Sequence, residues 1–116
     1  MATLRNGRNG ALLASDVEIA AGLWARAKGL LGRDGLPDGH GLYLNDCQSI
    51  HSFFMRFPFD ALFVDKEWHV LHLISAMPAN RASRHVWRAK GIFELPAGVI
   101  QATDTHLGDT LEFSRT

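Results

Sequence analysis

The run from Phe59 to Met77 leaves the chain little choice of local structure. Ala61-Leu62-Phe63-Val64 and Trp68-His69-Val70-Leu71-His72-Leu73-Ile74 are rich in β-branched and aromatic residues, and the polar Asp65-Lys66-Glu67 separates them. Two such runs around a short polar turn predict a β-hairpin, with residues near 61–64 paired to those near 68–73. Leu42 to Leu44, Phe93-Glu94-Leu95 and Leu111-Glu112-Phe113 read as further short strands. Pro96-Ala97-Gly98 followed by Val99 to Thr103 reads as a one- or two-turn helix, and Gly108-Asp109 turns the chain into the last strand. The expected fold class is α+β, dominated by a curved, antiparallel, barrel-like sheet with one or two short helices.

A chain of 116 residues fits one domain. Residues 1–10, rich in Gly, Asn and Arg, read as a flexible N-terminal arm, and 11–116 as a single globular domain. Twelve Lys plus Arg balance twelve Asp plus Glu, so no global field draws the chain to nucleic acid or holds it on an anionic membrane. Neither partner is expected. The lone Cys47 cannot close an intramolecular disulfide, and the N-terminus lacks the apolar segment of a secretory signal, which points to a reducing, cytoplasmic setting. No apolar run approaches the roughly 20 residues that a membrane span needs.

Two segments admit more than one reading. Ser15-Asp16-Val17-Glu18 has capping-box spacing, and Ile19, Leu23, Ala27 and Leu30 then share a helical face over about 16–31. The same Asp16 to Ile19 also alternates polar and apolar, as a half-buried strand would, before Gly22 breaks the pattern. The glycine-rich Gly29 to Gly41 reads as a loop and not a phosphate cradle, because no Lys-Ser/Thr follows the glycines and no helix starts from it.

Arg26-Ala27-Lys28-Gly29-Leu30-Leu31-Gly32-Arg33, the stretch from Cys47 to Asp65, Phe93-Glu94-Leu95-Pro96-Ala97-Gly98 and Gly108-Asp109 form an ordered set of motifs. In order and spacing, over roughly 16–113, the set resembles the uncharacterised family called domain of unknown function 192. The resemblance implies a β-rich, barrel-like fold with a short helix, and favours a strand at about 16–20 with the helix starting near Gly22. It implies no activity. Where that family often has a glycine in the central hairpin turn, this chain has Asp65-Lys66-Glu67-Trp68, which leaves the turn type open.

The candidate site lies in the apolar stretch from Cys47, where buried polar groups must find partners. Cys47 and His51 are the candidates for a thiol nucleophile with its base, in a small hydrolase-like enzyme, or for a Cys/His metal pair. On a strand, residues four apart lie roughly 13 Å from one another, so either chemistry needs a turn or bulge near Ser49. Otherwise Cys47 is a small buried hydrophobe beside a hydrogen-bonded histidine. Arg56, Asp60, Asp65 and Glu94 read either as an internal Arg-to-Asp lock or as a pocket that clamps an anion through Arg56. His69 and His72, three apart, point to opposite faces of a strand. From Asn80 to Lys90 there are four cations and no anion, and Arg81, Arg84 and Arg88 would share a face if the segment were helical.

The expected function is a non-catalytic ligand-binding or interaction module, with His51, Arg56, Asp60, Arg81, Arg84 and Glu94 as ligand-binding candidates. A small anionic ligand or a protein would be its partner. No motif calls for a cofactor or a resident metal.

Overall fold

Phe59-Asp60-Ala61-Leu62-Phe63-Val64 is buried at every position, as a strand covered on both faces must be. The computed structural model, which describes residues 2–20, 30, 32–53 and 55–115, builds the molecule around it. Among the described residues the strands, in chain order, are β1 (Ala2–Asn6), β2 (Leu12–Ala14), β3 (Asp16–Ala20), β4 (His40–Asn45), β5 (Phe59–Val64), β6 (Val70–Met77), β7 (Gly91–Pro96) and β8 (Leu111–Arg115), with a four-residue helix, α1 (Val99–Ala102), before the last.

The strands form two sheets, one of five in the order β3-β4-β7-β5-β6 and one of three in the order β2-β1-β8. The expected hairpin is present, with Leu62 opposite Leu73 and Phe63 opposite His72. Three expectations change. The strands lie in two sheets where one was expected, and no closed barrel forms among the described residues. One pairing, β3 with β4, is parallel. The residues read as a loose arm supply β1, whose Ala2 and Leu4 are buried and whose partner is β8, from Ala2 opposite Arg115 to Asn6 opposite Leu111. The strand reading holds at 16–20, and the helix expected near Gly22 lies outside the described residues.

Alternation of side chains gives the five-stranded sheet two faces. Tyr43, Leu62, Val64, Phe93 and Leu95 face the three-stranded sheet, meeting Ala2, Leu4, Leu13 and Leu111. Leu42, Leu44, Ala61, Phe63 and Ile92 form the opposite face, covered by Leu30, Ile50, Val86 and Ala89 from non-strand segments. At roughly 25 cal/mol per Å² of apolar area buried, these two layers supply most of the favourable folding energy. Among the described residues no helix is long and apolar enough to cross a membrane.

Candidate functional site

The segment carrying Cys47 and His51 is strand only from Phe59 onward; before that it is an extended loop laced to residues 78–90. Asp46 N–H donates to Lys90 O (2.7 Å), Val86 N–H to Gln48 O (2.8 Å), Ser83 N–H to Ile50 O (2.8 Å) and Ser52 N–H to Arg81 O (2.7 Å). Ser52, fully buried, is the knot: its hydroxyl lies 2.5 Å from Pro78 O and accepts the Arg81 N–H at 2.9 Å. Residues 49–53 then alternate, with Ile50 and Ser52 turned in and Ser49, His51 and Phe53 turned out. His51 is exposed, its ring stacked on Phe53 (5.3 Å between centroids) and its Nδ1 accepting the Phe53 N–H (3.3 Å). Cys47 is half-buried against the second core face. Among the described residues no three His, Cys, Asp or Glu side chains are placed to hold a metal ion.

The remaining candidates separate. Arg56 reaches outward to Asp34 at 2.5 Å, with both side chains exposed, so it is not the clamp or lock expected for Asp60. Asp60 is fully buried and accepts backbone N–H groups instead: Ala76 at 2.7 Å, Ile100 at 2.8 Å and Gly98 at 3.2 Å. It joins β5 to the positive-φ residue Ala76 of β6 and to the start of α1, where Gly98 holds φ at 99°. Glu94 sits in β7 between Leu42 and Ala61, on the opposite face, and its Oε1 has no hydrogen-bond partner among the described residues. Burial pushes its carboxyl up to about 8, against the pull of Arg33. Arg81 and Arg84 are exposed on a segment without helix, so the shared arginine face does not form; burial, then Arg84, lowers the His72 imidazole.

A concave feature lies elsewhere, at the seam of the two sheets. It is a cleft of about 410 Å³ walled by Tyr43, Trp68 and Phe113, with Ile19 beside them. Tyr43 stands 5.6 Å from Trp68 and from Phe113, and Trp68 stands 5.3 Å from Phe113, centroid to centroid; Phe93 closes the cluster 4.6 Å from Tyr43. Gly91 makes room for it, since a Cβ there would run into the Tyr43 hydroxyl. Burial, with Asp46 and Cys47 nearby, pushes that hydroxyl up to about 12, so it stays a neutral donor at any ordinary pH. The mouth is polar, formed by Asn45, Asp65, Lys66, Lys90 and Arg115.

The hairpin turn left open by the sequence builds this cleft. Trp68 takes φ of 68°, the conformation a glycine would normally supply. Such backbone costs on the order of 1–3 kcal/mol and persists only where its surroundings enforce it. Asp65 does the enforcing: Oδ1 accepts the N–H groups of Glu67 and His69, both at 2.9 Å, and Oδ2 meets His69 Nδ1 at 3.0 Å. Burial raises the Asp65 carboxyl, but these bonds from His69 and Glu67 outweigh it and hold it below its ordinary value. Leu111 N–H, donating to Trp68 O at 2.9 Å, ties the turn to the three-stranded sheet. None of Cys47, His51, Arg56, Asp60, Arg81, Arg84 and Glu94 lines this cleft or a smaller one of about 250 Å³ beside β2 and α1. The sequence reads Trp68 as the start of the second hairpin run, and in the structure it packs against the core cluster while walling the cleft; the signal for the second role was a bulky residue in the position that calls for glycine.

A family model described as DUF192, Uncharacterized ACR, matches residues 4–113. No curated protein matches the chain. Two crystal structures share its fold. One is a protein of unknown function from Novosphingobium aromaticivorans DSM 12444, 20% identical, with a TM-score of 0.81 over 96% of this chain and 82% of its own. The other is a candidate transcription regulator from Sinorhizobium meliloti 1021, 21% identical, with a TM-score of 0.78 over 97% of this chain and 91% of its own.

Proposed function

The chain belongs to the DUF192 family, a membership that brings no activity with it, and from the geometry of the cleft we propose that it is a non-catalytic ligand-binding module. Trp68 carries this reading. A tryptophan held at positive φ by a buried aspartate is strained backbone whose visible result is an aromatic wall facing an open space. A volume of about 410 Å³ falls in the roughly 300–1,000 Å³ range of small-molecule sites. Three rings offer flat apolar area at little cost in side-chain entropy, and the few polar groups at the mouth would set orientation.

The test is titration of the isotope-labelled protein with 1-naphthol, following the indole N–H signal of Trp68 by NMR. The expected outcome is a saturable shift of that signal together with the backbone signals of Tyr43 and Phe113. Trp68→Ala should abolish saturation while the thermal unfolding transition stays cooperative. Shifts confined to other surfaces, or none, would overturn the reading.

A further inference from the structure

We infer that the cleft selects an anion: a small molecule with a flat apolar body and a carboxylate, sulfonate or phosphate at the end that faces solvent. This rests on the cleft being the ligand site, and the charges around its mouth carry it. Three cations, Lys66, Lys90 and Arg115, stand at the mouth, and the charges of Lys66 and Arg115 are not answered by an ion pair among the described residues. Asp65 spends both carboxylate oxygens inside its own turn, on Glu67 and His69. Asp46 is paired with Lys90. Among the described residues neither Lys66 nor Arg115 takes part in an ion pair, whereas Arg8, Arg33 and Arg56 each have a carboxylate partner.

The contrast with the whole chain gives the inference its force. With a formal net charge of zero, a cationic rim is not a by-product of a basic protein; it is a local excess, placed where an aromatic floor would hold the rest of a ligand. Arg115 suits the task, since a guanidinium offers a planar pair of donors to a carboxylate or phosphate, while Lys66 adds a mobile point charge from the hairpin turn. The two sit on different sheets, β8 and the β5–β6 turn, so a bound anion would bridge the seam.

Three bicyclic probes of one shape decide the matter: naphthalene-1-sulfonate, 1-naphthol and 1-naphthylmethylamine, each titrated against the labelled protein. The sulfonate is expected to bind about tenfold more tightly than the naphthol, with the ammonium weakest. The sulfonate preference should collapse at near-molar salt, because exposed charges are screened there. In Lys66→Ala/Arg115→Ala the ratio of sulfonate to naphthol affinity should fall to about one, with the Trp68 indole signal unmoved in the free protein as the check on folding. Equal affinities, or a preference for the ammonium, at a cleft that still binds naphthol would overturn the anion inference and leave the binding reading standing. Failure of all three probes to move the Trp68 signal would overturn both.

Discussion

The two faces of the five-stranded sheet bury one carboxylate each and treat them in opposite ways. On the face turned to the three-stranded sheet, Asp60 has no solvent exposure, yet three backbone N–H groups converge on it. On the other face Glu94, 4% exposed, leaves Oε1 without a partner among the described residues, and burial drives its carboxyl up to about 8. Burial is common to both. The difference lies in what returns to cover them: beside Asp60 the chain comes back through a bulged strand and the first turn of α1, presenting N–H groups, whereas Glu94 faces aliphatic side chains of Leu42 and Ala61 on the neighbouring strands. A carboxylate inside a protein is kept by donors, and a carboxyl without them is kept by holding its proton.

The sharpest way to break this comparison is Asp60→Ala. It would remove at once the acceptor of the buried Ile100 N–H and of the part-buried Ala76 and Gly98 N–H groups, and a loss of roughly 2–4 kcal/mol is expected in urea unfolding. A loss under about 1 kcal/mol would mean that solvent reaches those groups and that Asp60 is no anchor.

Glu94→Gln sharpens the other half. The folded carboxyl titrates near 8 against an ordinary 4.5, so it folds protonated. Stability is therefore full below about 4.5 and falls as pH rises through the folded value, by an amount on the order of 3 kcal/mol at neutral pH. Glutamine cannot ionise, and the variant should show a flatter profile, gaining on the parent protein as pH increases. A profile that leaves parent and variant parallel between acid and pH 8 would show that Glu94 is solvated or paired when folded.

Smaller still is the effect expected at Ser52, which does for the loop layer what Asp60 does for the strand layer. Ser52→Ala leaves the Pro78 carbonyl and the Arg81 N–H without their partner, at about 1–3 kcal/mol. Faster amide exchange at Arg81 and Ser83, with the strand amides unchanged, is the expected signature. Uniform acceleration across β5 and β7 would instead make the loop ladder part of the same cooperative unit as the sheet.

Much of the strand pattern was legible in the residues. The hairpin around Asp65-Lys66-Glu67, the strands at Leu42, Phe93 and Leu111, and the helix after Gly98 all follow from local runs and the turn residues that bound them. β1 was not legible, because its apolar residues are only Ala2 and Leu4, and its pairing residues stand at the far end of the chain. The catalytic and ligand-binding candidates singled out from the sequence line neither cleft. The loop from Cys47 and the segment from Arg81 do run side by side, yet Arg56, Asp60 and Glu94 diverge to a surface pair, a backbone anchor and a buried neutral acid. Ser52 escaped notice because a serine carries no chemical signature until its neighbours in space are known.

By itself the sequence determined the central hairpin and the other strands that local runs mark, that the formal charges of the whole chain sum to zero, and that a glycine is missing from the central turn. Those are properties of neighbours along the chain: alternation, turn chemistry and summed charge. The tertiary structure alone decided that Trp68 would meet Tyr43 and Phe113, residues 25 and 45 positions away in the numbering, to wall a cleft at the margin of the core. It also decided that Lys66 and Arg115 would gather at one mouth. Such meetings depend on how two sheets stack, which is set by the joint burial of many side chains and is carried by no single segment.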